Sequence, residues 1–419
     1  MSARGTMPHV DVATFERLLE PGGQALVARA AEAWLEAAGD PVRAATLLRR
    51  DAADAAVVDP AAGPALAAAA LTQAALRSRG RAKFGADADR MWFTSEGLEQ
   101  ATRTPVAAHR AARVAHWLAA VGDGSPGSVL DAGCGIGGDL VAFARAGAVA
   151  AGVDTDPLRV AVAGANLRAL DLPGAVLVAD ATTMDLTGPD VVFADPARRT
   201  ARGRTFDPDA YVPPWSWLER LLTRPSCAKV APGIPHERVP AGVEAEWVSL
   251  EGEVKEAVLW SPQLAVAVRR ATVVRAAGLA TVTDEDDPGP VGVRTPGRFL
   301  HEPDGAVVRA GLVTAVAARV EGWLLDEHIA YVASDTPVST PLARGYEVLE
   351  QLPYQEKQLR AALRARGIGR LTIKKRGVAV VPEQLRARLA LRGDAEATLV
   401  LTRVAGKGTA LLVRPLERG

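Results

Sequence analysis

One short segment constrains the fold of this chain more than any other, residues 129–138 with the sequence VLDAGCGIGG. It has the pattern of a buried β-strand that enters a glycine-rich turn and opens a helix. Glycine suits such a turn because a Cβ atom would keep a ligand away from the backbone, and the helix N-terminus offers unpaired N–H groups. The segment therefore predicts an α/β unit with a nucleotide-like ligand at its first turn.

The acidic residue in this segment indicates which ligand is bound. Gly133, Gly135 and Gly138 also match the dinucleotide pattern G-x-G-x-x-G, so a nicotinamide-binding oxidoreductase is one alternative. However, the carboxylate of Asp131 would repel a pyrophosphate, whereas it would attract the ammonium group of S-adenosylmethionine. The segment therefore favours S-adenosylmethionine over a dinucleotide.

Further acidic residues follow predicted strands at the spacing of successive βα units. Asp154 ends the apolar segment 149–153, about 20 residues after the glycines, where an acid accepts hydrogen bonds from ribose hydroxyl groups. Asp180 follows segment 175–179, and its carboxylate and the small Ala181 suit the amino group and the ring of adenine.

The last acid of the series, Asp195, follows the apolar segment 190–194 and opens the sequence DPAR at residues 195–198. Because the carboxyl ends of strands in a doubly wound sheet form the rim where ligands bind, we expect all four acids to line one crevice. A fifth strand is predicted at 228–232, and its Lys229 is expected to face the same rim without an assigned role.

These segments resemble the first four motifs of the class I S-adenosylmethionine-dependent methyltransferases. The resemblance implies a Rossmann-like α/β core with a mostly parallel seven-stranded sheet, closed by an antiparallel hairpin that we place at 244–250 and 256–261. Residues 97–105, GLEQATRTP, resemble the leader that covers the cofactor in RNA-modifying members. The implied S-adenosylmethionine site consists of Gln100, Thr102, Asp131, Gly133, Gly135, Asp154, Asp180 and Ala181.

The C-terminal part carries a second resemblance. Segments 369–377 and 391–399, GRLTIKKRG and LRGDAEATL, are similar to the THUMP-like domain found at the C-terminus of a bacterial methyltransferase family. The span 357–376 contains eight cationic residues and no acidic residue. Cations that neutralise phosphates release counterions, so we expect this domain to contact RNA; a solvated basic surface is the alternative. The candidate contacts are Arg370, Lys374, Lys375 and Arg376.

Aromatic residues that could stack on bases are scarce in the same region. Tyr346 and Tyr354 are the candidates there. Recognition of RNA shape and backbone is therefore favoured over base reading.

The length of 419 residues exceeds what one hydrophobic core usually supports, so we expect several domains. Helices are predicted at 25–37, 41–51, 64–79 and 105–121. The expected parts are an N-terminal helical domain, the methyltransferase domain, a small connecting domain and a small α+β THUMP-like domain, at 1–104, 105–270, 271–333 and 334–419.

Composition restricts the function classes further. The 49 Lys and Arg residues balance 49 Asp and Glu residues, so net charge gives no argument for nucleic acid binding by the whole molecule. Two cysteines cannot form a disulfide framework, which favours a reducing compartment, and we predict the cytoplasm. No membrane span is expected, and six scattered histidines without ligand spacing predict no metal site.

Methyl transfer from a sulfonium is a direct displacement, so the protein must align the reacting groups and exclude water. The resemblance assigns this task to Asp195, Pro196 and Arg198. In amino-methylating relatives an Asp or Asn, two prolines and an aromatic residue hold the target amine. Here alanine replaces the second proline and Arg198 replaces the aromatic residue, so stacking needs the Arg198 guanidinium or a nearby aromatic ring, from Tyr211, Trp215 or Trp217.

Two alternatives remain open beside a methyltransferase that acts on a base of ribosomal or transfer RNA. A cysteine-dependent uracil carbon methyltransferase would use Cys227 as its nucleophile. The surroundings of Cys227 lack the Cys-Asn-Pro signature of that family, which favours a buried structural cysteine. The altered motif at 195–198 also permits an RNA-binding protein that has lost catalysis.

Overall fold

The computed structural model describes residues 10–54, 63–196, 199–200, 203–204 and 211–416, and the structural statements below concern these residues. The chain forms two units. The first contains Met1–Lys229 with Ser261–Leu264, and the second contains Val230–Trp260 with Ala265–Gly419.

The first unit begins with helices, of which α3 and α4 start at the predicted Pro41 and Pro64, α6 starts one residue before its predicted start, and α2 starts at Pro21 and not at the predicted residue 25. Proline occupies the first turn of α2, α4 and α6, where its missing N–H costs no intrahelical hydrogen bond. The four predicted helices are present, and two short ones accompany them. The helices are α1 (Val12–Leu19), α2 (Pro21–Glu36), α3 (Pro41–Asp54), α4 (Pro64–Phe84), α5 (Ser95–Gln100) and α6 (Thr104–Val121).

The rest of the first unit alternates strands and helices. The strands are β1 (Ser128–Ala132), β2 (Val149–Asp154), β3 (Ala175–Val178), β4 (Val191–Ala194), the two-residue strands β5 (Arg199–Thr200) and β6 (Gly203–Arg204), and β7 (Ser226–Val230). The helices between them are α7 (Gly138–Arg145), α8 (Pro157–Ala169) and α9 (Trp215–Leu221).

Five of these strands are parallel neighbours in the order β7-β4-β1-β2-β3. The chain fills the sheet from β1 towards β3 and then returns to the other side of β1 with β4. In such a sheet the reversal of order leaves a crevice beyond the carboxyl ends of the two strands that flank it. The predicted α/β class is confirmed, and the crevice lies beside β1 and β4.

The second unit contains the predicted antiparallel hairpin, formed by β8 (Glu244–Leu250) and β9 (Glu253–Trp260). Two strands not included in the prediction extend it. β10 (Arg269–Arg275) pairs in parallel with β8, and β11 (Gly278–Thr283) pairs antiparallel with β10.

A separate seven-stranded sheet completes the second unit, in the order β13-β14-β12-β15-β18-β17-β16. It joins strands on both sides of the domain limit expected near residue 334. Its strands are β12 (Phe299–Pro303), β13 (Trp323–Asp326), β14 (Ile329–Ser334), β15 (Ala343–Leu352), β16 (Ile368–Lys375), β17 (Ala395–Val404) and β18 (Lys407–Pro415). The helices of the second unit are α10 (Gly305–Ala310), which packs against β8 and β10, and α11 (Val313–Arg319), α12 (Glu356–Ala365) and α13 (Pro382–Leu389).

The C-terminal end of this sheet is stabilised by leucine packing. Leu359 and Leu363 of α12 and Leu389 of α13 are buried against strand residues such as Leu399. Each fully buried leucine contributes roughly 1.5–3 kcal/mol of transfer free energy. The described helices include none that is long and apolar enough to cross a bilayer.

Candidate active site

A cavity of about 430 Å³ lies at the carboxyl ends of the parallel strands in the first unit. Its volume is in the range of small-molecule ligand sites. Arg198 lies outside the described residues. The other ten predicted cofactor and catalytic residues all line this cavity, and their functional roles stay predictions. They are Gln100, Thr102, Asp131, Gly133, Gly135, Asp154, Asp180, Ala181, Asp195 and Pro196.

The glycine-rich turn brings backbone to the wall of the cavity. Gly133 and Gly135 have φ angles of +93° and +54°. Residues other than glycine rarely adopt such positive φ angles. The Gly133 N–H donates to the carbonyl oxygen of Val153 over 2.8 Å. A Cβ atom at Gly135 would meet no atom of the described part of the chain within 4 Å, so this backbone borders open space there. The turn can therefore approach a ligand closely.

The carboxylate of Asp131 is buried in the cavity wall. Its residue is 1% exposed, and no described residue donates a hydrogen bond to either oxygen. Burial raises the pKa of Asp131 well above its ordinary value, and the nearby Asp139 and Asp195 raise it further. A buried, unpaired carboxylate is costly, and a cationic group on a ligand would remove that cost.

Asp154 and Asp180 differ from Asp131 because the chain itself holds their carboxylates. Asp154 Oδ2 accepts from the Gly135 N–H and Oδ1 from the Asp156 N–H, each over 3.0 Å. Asp180 Oδ1 accepts from the N–H and the hydroxyl of Thr182, and these bonds lower the pKa of Asp180. Ionised carboxylates have further acceptor sites, so both acids can still bind hydroxyl or amino groups of a ligand.

Asp195 is held by a buried lysine. Lys229 Nζ lies 2.6 Å from Asp195 Oδ2 and 3.0 Å from Thr102 Oγ1. The Thr102 hydroxyl donates to Asp139 Oδ2 over 2.9 Å, and Asp139 forms an ion pair with the buried Arg110. This network connects the predicted leader, helix α7 and strand β7 to the residue expected to hold the substrate.

The sequence indicated no role for Lys229 and gave no signal for Asp139 or Arg110. Lys229 and Thr102 are 127 residues apart, and Arg110 and Asp139 are 29 apart. No local spacing signals such a network. The one sequence feature that could have indicated it is Lys229, a charged residue on the otherwise mostly apolar strand β7.

An apolar surface, contributed by Val212, Pro213 and Pro214, lines the cavity together with Asp195 and Pro196. The aromatic residues considered for stacking are placed elsewhere. Tyr211, Trp215 and Trp217 are 3%, 5% and 6% exposed, and they are not among the described residues that line the cavity.

Cys227 is also absent from the described lining of this cavity and is fully buried. It lies in β7 opposite Phe193 of β4, two residues before Lys229. Two residues of strand correspond to about 6–7 Å, which separates Cys227 from the strand end where ligands bind. The position fits a structural cysteine better than a nucleophile.

The predicted RNA-contacting residues of the C-terminal domain are mostly engaged within the protein. Arg370 and Lys374 lie 2.5 Å from Glu396 and Glu302, respectively. The guanidinium carbon of Arg376 lies 5.4 Å from the ring centroid of Tyr331.

Lys375 is exposed and forms no ion pair with a described residue. Of the two tyrosines, Tyr346 is fully buried, while Tyr354 is 38% exposed. These positions leave little surface for base stacking.

Comparisons with known proteins agree with these observations. Residues 343–415 match the family described as THUMP domain-like. The chain is 41% identical over 333 residues to proteins of Mycobacterium tuberculosis strains CDC 1551 / Oshkosh and H37Rv, which are described as uncharacterised S-adenosylmethionine-dependent methyltransferases. The match covers 77% of this chain and 88% of theirs.

A crystal structure from Porphyromonas gingivalis W83, described as a methyltransferase, has the same fold. It superimposes with a TM-score of 0.71 at 22% identity, over 94% of this chain and 99% of that chain.

Proposed function

This chain belongs to the S-adenosylmethionine-dependent methyltransferases, and we propose that it methylates a base of ribosomal or transfer RNA. The enzyme class and the cofactor follow from the 41% identity to relatives described by that activity. The RNA substrate rests chiefly on the match of residues 343–415 to the THUMP domain-like family. The cytoplasm is the compartment that such a substrate implies.

The cavity suits S-adenosylmethionine because the buried carboxylate of Asp131 receives no hydrogen bond from the described residues. Asp131 would bind the ammonium of the methionyl group, Asp154 would accept from the ribose hydroxyls, and Asp180 would accept from the adenine amino group. Gln100 and Thr102 would cover the methionyl end from the leader. When bound, S-adenosylmethionine supplies an electrophilic methyl group on a sulfonium.

The charge of the C-terminal domain supports RNA as the substrate. Residues 343–415 contain fifteen Lys and Arg residues against six Asp and Glu residues, although the whole chain is neutral. Such an excess attracts a polyanion over several ångströms even where individual cations pair within the protein. RNA recognition would then depend mainly on the phosphate backbone and on shape.

Asp195 would hold the target base beside the cofactor. Its carboxylate can accept a hydrogen bond from a base N–H, while Lys229 fixes its orientation through the 2.6 Å contact. The apolar surface of Val212, Pro213 and Pro214 would pack against the flat base and exclude water. A base nitrogen is therefore the favoured methyl acceptor, and Cys227 takes no part.

Transfer of tritiated methyl groups tests the proposal. The purified protein should label total RNA from a strain that lacks the gene, and should label RNA from the parent strain much less. Mass spectrometry of nucleosides from the two strains should show one methylated nucleoside missing from the deletion strain.

Saturable binding of S-adenosylmethionine in calorimetry, without labelled RNA, would instead support the RNA-binding protein that has lost catalysis. Labelled protein or a labelled small molecule would refute RNA as the substrate. That alternative is tested because the motif at 195–198 differs from that of the amino-methylating relatives.

A further inference from the structure

A second cavity in the first unit, of about 540 Å³, is lined by three arginines and a tryptophan, with residues of α1, α2 and α8 around them. We call it the arginine cavity, after Arg77, Arg90 and Arg168, which line it together with Trp92. We propose that the arginine cavity binds phosphate groups of the RNA substrate. The inference rests on the proposed function and adds a second RNA contact, remote in sequence from the C-terminal domain.

Arg77 is held in place before any ligand arrives. Its guanidinium carbon lies 4.7 Å from the ring centroid of Trp92, and its Nε donates to the carbonyl oxygen of Met91 over 2.9 Å. The Trp92 ring is itself fixed by an edge contact with Phe15 at 5.7 Å between centroids. The two Nη atoms of Arg77 donate no hydrogen bond to a described residue. An arginine that is oriented in this way loses little side-chain entropy when it binds a phosphate.

The charges around the cavity do not balance within the described part of the chain. Arg90 pairs with Asp171 over 2.6 Å, and Asp89, the acid in the cavity wall, pairs with Arg81 over 2.8 Å. Asp89 also acts on Arg77, since its charge opposes the lowering of the Arg77 pKa by burial. The two acids are thus shared among Arg77, Arg81, Arg90 and Arg168, which leaves a surplus of two positive charges. Arg168 forms no ion pair with a described residue. The surplus favours a ligand with two negative charges, such as consecutive phosphates.

The arginine cavity is also tied to the candidate active site. Asn166 of α8, next to the lining residue Ala165, is fully buried. Its Oδ1 accepts from the Trp92 N–H over 2.7 Å, and its Nδ2 donates to the carbonyl oxygen of Ile136 over 2.8 Å. Ile136 belongs to the glycine-rich turn that lines the cofactor cavity. A phosphate held at Arg77 would therefore have a fixed position relative to the methyl donor.

Fluorescence anisotropy of the full-length protein with labelled bulk transfer RNA and labelled ribosomal RNA fragments tests the inference. Two variants are compared with the wild type. One is Arg168→Gln, and the other is a double variant that combines Arg168→Gln with Arg77→Gln. Arg79→Gln is the matched control, because Arg79 is exposed on the same helix as Arg77 and does not line the cavity.

We expect RNA affinity to fall about 3- to 10-fold for Arg168→Gln and about 10- to 50-fold for the double variant. The dependence of log affinity on log salt should become less steep by about 1.4 to 1.8 in the double variant, as for two lost phosphate contacts. Arg79→Gln should stay within about twofold of the wild type. The affinity for S-adenosylmethionine should not change, which also shows that the variants are folded.

If wild type binds RNA and Arg168→Gln loses no more affinity than Arg79→Gln, the arginine cavity is not an RNA site, and the proposed function stands. If wild type binds neither RNA, both proposals fail. Should Arg77→Gln unfold the protein, the exposed Arg168 still decides the result. Inorganic phosphate that raises the melting temperature of wild type but not of Arg168→Gln, with equal RNA affinity of both, would identify a small phosphorylated ligand and overturn the inference.

Discussion

The candidate active site contains one buried carboxylate that no described residue pairs, besides its paired charges, whereas the charges compared with it in the C-terminal sheet are paired. In the active site, the carboxylate of Asp131 is buried, and no described residue forms a hydrogen bond with it. In the C-terminal sheet, Lys374 pairs with Glu302, and the buried His301 ring contacts the Ser334 hydroxyl over 2.9 Å. An unpartnered buried charge indicates where a ligand supplies the opposite charge, whereas paired charges stabilise the fold.

The same contrast applies to how each region would bind its ligand. The active site presents fixed carboxylates to one small molecule. The C-terminal domain pairs many of its cations internally and retains a net positive charge. Its attraction for RNA is therefore expected to be diffuse and sensitive to salt.

The largest expected effect comes from Asp131→Asn. Loss of the charge-assisted contact with the ammonium group should weaken S-adenosylmethionine binding by about 2–3 kcal/mol, roughly 30- to 150-fold. Because the variant also removes a buried unpaired carboxylate, the melting temperature without cofactor should rise by about 2–4 °C. Calorimetry and thermal unfolding measure the two effects. A loss of both affinity and stability would mean that Asp131 supports the fold and not the ligand.

Lys229→Met should reduce methyl transfer about 10- to 100-fold, because Asp195 loses the charged partner that orients it. Binding of S-adenosylmethionine should stay within about threefold of wild type. Lys229→Arg should restore part of the activity, since it keeps the positive charge. Initial rates at several RNA concentrations should show the loss mainly in kcat. Equal losses in the Met and Arg variants would exclude the positioning role.

Asp154→Ala should weaken S-adenosylmethionine binding by about 1–2 kcal/mol, through lost ribose contacts and a less ordered glycine turn. Asp154→Asn should lose less, because its amide oxygen can still accept from the Gly135 N–H. Calorimetry with both variants measures the difference, and unchanged affinity in Asp154→Ala would show that this acid does not contact the ribose.

Lys375→Ala should weaken RNA binding about two- to threefold and reduce the salt slope by about 0.7–0.9, because this exposed lysine is available to a phosphate. Lys374→Ala should instead lower the melting temperature, since it leaves Glu302 without its 2.5 Å partner. Anisotropy and thermal unfolding of both variants make the comparison. The reverse result would mean that Lys374 exchanges Glu302 for RNA.

The smallest effect concerns pH. Burial lowers the pKa of His301 from 6.5 to about 4, so the unfolded chain binds a proton more readily than the folded one between these values. The contribution of His301 to stability is therefore complete above pH 6.5 and is lost as the pH falls towards 4. Denaturant titrations at several pH values should show a smaller decrease in this window for His301→Gln. An unchanged decrease would assign the acid sensitivity to other groups.

The sequence predicted most of the fold that positions the site. Strand-and-turn patterns located the parallel strands to within a few residues, because a buried parallel strand reads as a continuous apolar run. The strands β10 and β11 were missed, since they alternate less clearly and follow the segment expected to close the sheet. The buried network from Asp195 to Arg110 was missed because its members are far apart in the chain.

What the sequence by itself determined is the order of strands, glycine turn and acids, because these depend on local periodicity and on backbone conformations that glycine permits. It could not distinguish Asp131, to which no described residue donates a hydrogen bond, from Asp154, which backbone N–H groups hold. It also could not separate Lys374 from Lys375, one paired and one exposed. Only the tertiary structure decided these differences, because burial and pairing arise from distances between residues remote in sequence.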